Sequence, residues 1–180
     1  MFIKESCIVE IYTKSTESFS VGRVFCQDED CVIFENIDVQ GKITGYYVMK
    51  KSSISQLHYH TEYLGKIRKY MEYGKEHSYS NWFSLKPVAL NRGGSLILQV
   101  LEYAKDNHIV ITLETDQADE PEAGYLKEMV RDKIIFSCLD VSTAQLSEEI
   151  TIPVQDIVFI EFESIDNLLL QYANTALTIH

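Results

Sequence analysis

The chain has 180 residues, of which 46% are hydrophobic and 24% charged, and its formal net charge is −11. This length suffices for one ordinary domain or two small ones with buried cores, so intrinsic disorder is not expected. No run approaches the roughly 18 uncharged apolar residues needed to cross a bilayer, and the amino terminus carries an early acid, Glu5, in place of an apolar signal core. We therefore expect a soluble, cytoplasmic protein with no membrane partner.

The charge is unevenly distributed along the chain. Residues 1–75 hold ten basic and ten acidic residues, whereas residues 76–180 hold six basic and seventeen acidic residues. Binding to a phosphate backbone depends on clustered positive charge. The second part of the chain is therefore expected to repel nucleic acid.

Short alternating apolar segments in the first part of the chain predict five β-strands. The acidic residues 27–30 form a tight turn within a hairpin, and a second turn covers residues 40–42. The predicted strands cover residues 8–12, 19–25, 31–37, 43–49 and 53–59. Five short strands at this spacing favour a small closed or half-open barrel.

Three amphipathic segments predict helices, at residues 61–73, 95–105 and 165–173. Ser95 is in position to act as an N-cap. Pro87 and the two glycines at 93 and 94 mark residues 76–94 as a linker. We therefore predict a first domain at residues 1–75 and a second at 95–180. Trp82 and Phe83 lie in the linker and are a possible interaction surface.

The second domain repeats the first at an offset of 102 residues. The offset aligns apolar positions and also places Gly22 on Gly124 and Asp38 on Asp140, and one inserted residue then carries the match onward to the last helix. The strands predicted for this second copy cover residues 109–114, 124–130, 133–139, 149–152 and 157–162. The sequence therefore predicts a tandem duplication, mainly β with flanking helices (α+β).

Residues 21–28, 32–34 and 45–50 resemble the two short motifs of the Sm-like family of small β-barrels. Gly22 and Asp28 match the first motif. The resemblance implies two tandem barrels of the Sm/SH3-like type, each of about five strands. In that family an asparagine and an arginine-glycine pair hold a uridine base.

Both copies depart from the family at the base-binding positions. Val32 stands where the asparagine would be, and Lys50 and Lys51 stand where the arginine-glycine pair would be. In the second copy Gly124 matches, whereas the other motif positions hold Val130, Ile134, Ile152 and Pro153. An apolar side chain cannot hydrogen-bond a base edge. The resemblance therefore implies the fold without the RNA site.

One basic and aromatic cluster is a possible surface for nucleic acid or another anion. It comprises Lys50, Lys51, Lys66, Arg68 and Lys69, with tyrosines between them. Such clusters can stack on and neutralise single strands. Acidic residues at 62, 72 and 76 dilute this cluster, and an amphipathic helix accounts for most of its spacing.

Other chemistry-bearing residues are weaker candidates. His58 and His60 would share one face of an extended strand, a spacing that can hold a metal ion, but no third ligand is evident. Cys26 and Cys31 would oppose each other across a hairpin, although buried, reduced thiols are the simpler interpretation. Residues 91–95 lead into a helix and could hold an anion. The acidic loop 116–122 fits a solvated loop. We expect no cofactor and no metal.

The sequence thus favours a non-enzymatic binding or regulatory module that docks on protein partners or on a second copy of the chain. The alternative is an Sm-like protein that binds RNA through the basic first copy. Because no serine, histidine or aspartate lies in a diagnostic setting, we do not expect an enzyme.

Overall fold

Ten strands and three helices make up the part of the chain that the computed structural model describes, residues 3–14, 18–77, 94–118 and 120–178. The chain divides into two compact units, Met1–Val88 and Ala89–His180. Both are mainly β, as predicted. Within the described ranges, no helix has the length and apolar character needed to span a membrane.

Unit 1 is a five-stranded antiparallel sheet followed by a helix. The strand order is β5-β1-β2-β3-β4. A short 3-10 turn, Lys51–Ser53, joins the last two strands, and helix α1 (Glu62–Glu76) follows the sheet. The strands are β1 (Ile8–Thr13), β2 (Phe19–Gln27), β3 (Cys31–Ile37), β4 (Ile43–Lys50) and β5 (Ile54–His58).

Unit 2 has the same sheet with one helix before it and one after it. Helix α2 (Leu96–Asn107) precedes the sheet and helix α3 (Ile165–Thr178) follows it. The strand order is β10-β6-β7-β8-β9, which is the unit 1 order element for element. The strands are β6 (Val110–Thr115), β7 (Glu122–Val130), β8 (Lys133–Asp140), β9 (Gln145–Pro153) and β10 (Ile157–Phe162).

The predicted offset of 102 residues also holds for the hydrogen-bonded pairing of the strands. Val9 pairs with Gly22 as Ile111 pairs with Gly124. The ladder between the second and third strands shifts register at residues 24–26 in unit 1 and at 126–128 in unit 2, so both copies carry the same β-bulge. The internal repeat therefore extends to a local irregularity, which shared apolar positions alone would not produce.

Divergence between the copies is visible at the bulge. The bulge residue of unit 1, Phe25, packs edge-on against Tyr46, with ring centroids 5.7 Å apart. At the equivalent positions of unit 2, Lys127 Nζ lies 2.5 Å from Glu149 Oε1. The same cross-strand position thus holds an aromatic pair in one copy and an ion pair in the other.

Phe34 and Phe136, which the offset of 102 residues places at equivalent positions, lie in the third strand of each sheet and are both fully buried. Beside Phe34, a Cβ atom on Gly22 would lie 2.9 Å from the phenylalanine Cβ. In unit 2, a Cβ atom on Gly124 would overlap the Ser137 carbonyl oxygen. Both glycines therefore allow the second and third strands to approach closely.

The helices that follow the sheets begin at hydroxyl caps. Thr61 Oγ1 accepts a hydrogen bond from Leu64 N at 3.1 Å, and Ser164 Oγ accepts one from Asn167 N at 3.2 Å. Ser95 precedes α2 as predicted but makes no such bond through its side chain. Leu64 of α1 then packs in a buried cluster on the sheet of unit 1.

Several strand boundaries differ from the sequence prediction by one to four residues; β2, for example, ends at Gln27, two residues later than predicted. β5 ends at His58, because Thr61 already begins the cap of α1. β7 begins at Glu122 and β9 at Gln145, two and four residues earlier than predicted. The mainly β fold with flanking helices is confirmed, whereas each unit has the open strand order given above in place of a closed ring.

Candidate functional site

The two predicted lysines Lys50 and Lys51 lie where β4 ends and the 3-10 turn begins. The Lys51 backbone N–H donates to the Asp30 carbonyl at 2.8 Å, and Lys51 Nζ donates to the Asp28 carbonyl at 2.6 Å. Lys50 pairs with Cys31 at the start of β3. Lys51 therefore connects the 3-10 turn to the β2–β3 turn through two hydrogen bonds.

The three predicted cations of α1 also have partners within the chain. Lys66 Nζ lies 4.2 Å from the centroid of the Tyr63 ring, and Arg68 Nη2 donates to the Tyr59 carbonyl at 3.0 Å. Lys69 Nζ lies 2.7 Å from Glu72 Oε2, a hydrogen bond that raises the pKa of the lysine. The predicted anion surface therefore has much of its charge committed to local contacts.

His58 and His60 do not share a strand face, because β5 ends at His58. His58 Nδ1 lies 3.7 Å from Glu10 Oε2, and the Glu10 side chain is buried and accepts a hydrogen bond from the Thr61 hydroxyl. In the described part of the chain, no three His, Cys, Asp or Glu side chains are grouped to hold a metal ion. The histidine belongs to a polar network at the start of α1.

The predicted opposition of Cys26 and Cys31 is wrong, because Ile33 pairs with Cys26 in the ladder between β2 and β3, and Cys31 lies at the turn. Burial, followed by the charges of Asp28 and Asp30, raises the pKa of Cys31 to about 12. Burial also raises the pKa of Cys138 to about 12. These two thiols are buried and protonated at neutral pH, and all four cysteines are free.

Several of the remaining sequence candidates lie outside the residues that the structure describes. Trp82, Phe83 and residues 91–93 lie in the segment 78–93, which the structure does not describe. Their predicted roles stay predictions.

A cavity of about 380 Å³ in unit 1 lies between the β3–β4 turn and the second half of α1. Its walls include Gly41, Lys42, Tyr70, Met71 and Tyr73, and we call it the unit 1 groove. Asp38 Oδ1 shapes the turn by accepting from the backbone N–H groups of Gln40 and Lys42, both at 2.8 Å. Gly41 is required there because its φ is +80° and a Cβ atom would lie 3.0 Å from Met71 N.

A cavity of about 480 Å³ in unit 2 lies between the β8–β9 turn and α3. Its walls include Val141, Ala144, Asp166, Leu169, Ala173 and Leu177, and we call it the unit 2 groove. Asp140 Oδ1 accepts from Ser142 N at 2.8 Å and from Thr143 N at 2.9 Å. Asn174 Nδ2 donates to the Ala144 carbonyl at 2.8 Å, which ties α3 to the turn.

The two grooves occupy equivalent places in the repeat. Tyr70 and Gly74 of α1 correspond to Ala173 and Leu177 of α3 at the offset of 103 residues that follows the insertion. Each turn carries an exposed valine beside its groove, with Val39 69% and Val141 70% exposed. A branched apolar side chain in a solvent-facing turn recurs at the same position in both copies.

Comparisons with family models, with curated proteins and with solved structures find no match. The geometry of the grooves therefore carries the functional argument. Small polar rims around an apolar wall are typical of recognition sites.

The walls of the two grooves differ in charge, because Lys42 lines the unit 1 groove and Asp166 lines the unit 2 groove. The α3 positions Asp166 and Leu169 correspond to Tyr63 and Lys66 in α1. At these helix positions, which in unit 1 lie outside the groove lining, unit 1 has Lys66 over the Tyr63 ring, whereas unit 2 has a carboxylate and an exposed leucine.

Sequence reasoning missed both grooves, although a signal was available. Val39 and Val141 follow the aligned aspartates Asp38 and Asp140 at the same offset, and each is followed by a polar residue, Gln40 or Ser142. A conspicuously apolar turn residue present in both copies indicates a surface that is in use.

Proposed function

We propose that this protein is a non-enzymatic docking module, and that the two grooves are the surfaces on which partner proteins dock. The observation that carries the proposal is the pair of exposed valines, Val39 and Val141, each beside an apolar cavity at the same place in the repeat. Exposed apolar side chains that line a concavity are typical of protein recognition.

The lining residues favour binding over catalysis. Among the described residues that line the unit 2 groove, Asp166 is the one carboxylate, and the described lining of the unit 1 groove has Lys42 beside two tyrosines. An acid-base or nucleophilic mechanism needs paired groups within hydrogen-bond reach. The buried thiols Cys31 and Cys138 lie outside both linings.

We also propose that each unit is a small barrel of the Sm/SH3-like type. Support comes from two hydrogen bonds of the 3-10 turn, Lys51 N to the Asp30 carbonyl and Lys14 N to the Ser53 carbonyl. Lys14 lies near the start of β2 and Asp30 near its end. Their partners in the 3-10 turn, Ser53 and Lys51, are only two positions apart in the chain. A straight strand of the length of β2 would span roughly 30 Å. The sheet must therefore curl strongly.

The alternative of RNA binding through the basic first copy has less support. Lys51, Arg68 and Lys69 have hydrogen-bonding partners within the chain, and Lys66 lies over a ring. A uridine-rich oligonucleotide titrated at low salt, where electrostatic attraction is least screened, is expected to show no saturable binding at micromolar protein. Micromolar binding that is lost on replacing Lys50 and Lys66 with methionine would favour the alternative.

The docking function is tested by selecting peptides from a random display library on the full chain. Selected peptides are expected to bind the wild type and to lose binding to the double variant Val39→Ser/Val141→Ser. Val130→Ser is the matched control, because this valine is 45% exposed at the end of β7, away from both grooves. Peptides that bind the double variant as well as the wild type would contradict the proposal.

A second copy of the chain is a further candidate occupant. Light scattering over a concentration series tests it. If the wild type forms a dimer that dissociates in the double variant, the grooves hold another copy, and if both proteins are monomeric the partner is a different protein. The cytoplasmic location stays a prediction.

A further inference from the structure

The segment that builds most of the unit 2 groove carries no positive charge. No lysine or arginine follows Lys133 in the sequence, whereas seven aspartates and glutamates do. Two of these acids lie at the groove, Asp166 in its wall and Asp140 in the β8–β9 turn, and both are exposed. A partner that enters this groove therefore meets exposed carboxylates with no ion pair to a lysine or arginine in the described part of the chain.

The apolar part of the same groove is unusually open to solvent. Val141 is 70%, Leu169 53% and Leu177 55% exposed. Leu169, Ala173 and Leu177 are four residues apart along α3 and form one stripe that faces the β8–β9 turn across the cavity. Covering this stripe would remove a continuous strip of apolar surface from water.

The backbone groups of the groove walls are already in use. The N–H groups of Ser142 and Thr143 bind the Asp140 carboxylate, and the Ala144 N–H binds the Asp140 carbonyl at 2.7 Å. The other wall is a helix, which satisfies its own backbone. An extended peptide would find few backbone partners here, whereas a helix brings its hydrogen bonds with it.

We propose that the unit 2 groove binds a basic amphipathic α-helix, whose apolar stripe covers Val141, Leu169 and Leu177 and whose lysines or arginines face Asp140 and Asp166. The proposal rests on the docking function and assigns its partner class at this groove. The unit 1 groove is expected to reject the same helix, because Lys42 lies in its wall and like charges repel.

The probe is a fluorescently labelled model peptide with leucines at helical positions i, i+3, i+4 and i+7 and lysines elsewhere. Two control peptides have glutamate in place of lysine, or the same composition with the stripe scrambled. Fluorescence anisotropy with the full chain is expected to show binding of the striped lysine peptide alone. Leu177→Ser should weaken this binding about tenfold, because an exposed anchor is lost without harm to the fold.

Charge is tested separately with Asp166→Lys, which is expected to weaken the lysine peptide several-fold and to admit the glutamate peptide. Glu148→Lys is the matched control, since it makes the same change in net charge on the exposed face of β9, outside the groove lining. Val39→Ser, in unit 1, should leave binding unchanged. The dependence on Asp166 should also fall as salt is raised.

Two results would overturn the proposal: equal binding of the lysine peptide to Leu177→Ser and the wild type, or equal effects of Asp166→Lys and Glu148→Lys. Neither result decides the docking function, because library peptides could still depend on Val39 and Val141. Conversely, library peptides that bind the double variant Val39→Ser/Val141→Ser as well as the wild type would contradict the proposed docking function. That conclusion would hold even if the lysine peptide bound elsewhere on the acidic surface.

Discussion

Gly124 lies directly against the backbone of Ser137, so that a Cβ atom on the glycine would overlap the Ser137 carbonyl oxygen. Gly124→Ala is therefore expected to unfold unit 2 or to destabilise it by several kcal/mol, because strand β7 must move away from β8. Gly22→Ala, at the equivalent site of unit 1, should cost less, since its nearest neighbours are side-chain atoms of Phe34 and Ile11. Urea unfolding of both variants checks the order, and an equal or inverted order would contradict it.

The Thr61 hydroxyl supports both the start of α1 and the buried Glu10 carboxylate. Thr61→Val keeps the shape of the side chain but removes the cap and leaves a buried oxygen without its donor, so we expect a loss of about 1–3 kcal/mol. Thr61→Ser keeps the hydroxyl and should cost less than Thr61→Val. Thermal unfolding of the three proteins measures the difference, and equal stability of the valine variant would show that the network is dispensable.

Glu161 is a carboxyl group whose burial opposes ionisation. Burial first, and then the charges of Asp166 and Glu114, raise its pKa in the folded protein. The folded state consequently holds the proton more tightly than the unfolded state, so this group favours folding below its unfolded pKa and loses that contribution as pH rises through the raised value. Glu161→Gln should therefore raise the melting temperature at pH 7 relative to the wild type.

The gain from Glu161→Gln should shrink when the pH is lowered to about 4, where the wild-type carboxyl becomes protonated. Glu120→Gln, in an exposed loop, is the control and should show neither the gain nor its pH dependence. A gain that is the same at both pH values would mean that ionisation of Glu161 is not its cause.

Cys31 and Cys138 should resist alkylation in the folded protein. With a pKa of about 12 for each, about one thiol in ten thousand is ionised at pH 8, and the side chains are also buried. In the variant Cys7→Ser/Cys26→Ser, iodoacetamide is expected to label neither thiol until denaturant is added. Mass spectrometry counts the labels, and rapid native labelling would show that these sites open readily.

Local signals were enough to predict most of the strands. β3 was predicted with its observed limits because a turn precedes it at Asp28 and another follows it at Asp38. The carboxylates of Asp28 and Asp38 each accept hydrogen bonds from backbone N–H groups of their turn. The repeat then placed the strands of the second copy. The glycines and bulges share its offset because each depends on one close contact between neighbouring strands.

The missed boundaries have a common physical cause. Glu122 extends β7 because it pairs with Leu113, a residue of the preceding strand, even though Pro121 beside it indicates a loop. Residues 145–149 extend β9, but all five are exposed, so their sequence carries no alternation of buried and exposed positions. Pairing with the preceding strand decides such segments, and the residue pattern of the segment itself does not reveal it.

The grooves were beyond local reasoning for a similar reason. Each forms where a turn meets a helix roughly thirty residues later in the chain, as Gly41 meets Met71. The lysines of α1 illustrate the converse, because their spacing suggested a shared anion surface whereas Arg68 and Lys69 bind Tyr59 and Glu72. Side-chain partners across turns and strands determine which charges remain available.

Because residues 134–180 contain no lysine or arginine, trypsin has no cleavage site within them. This stretch contains both walls of the unit 2 groove, Val141 from the turn and Leu177 from α3. Amine-directed cross-linkers likewise find no side chain to attach to on that stretch. A partner bound there would be cross-linked by a carbodiimide, which joins lysines of the partner to the carboxyl groups of Asp140 and Asp166.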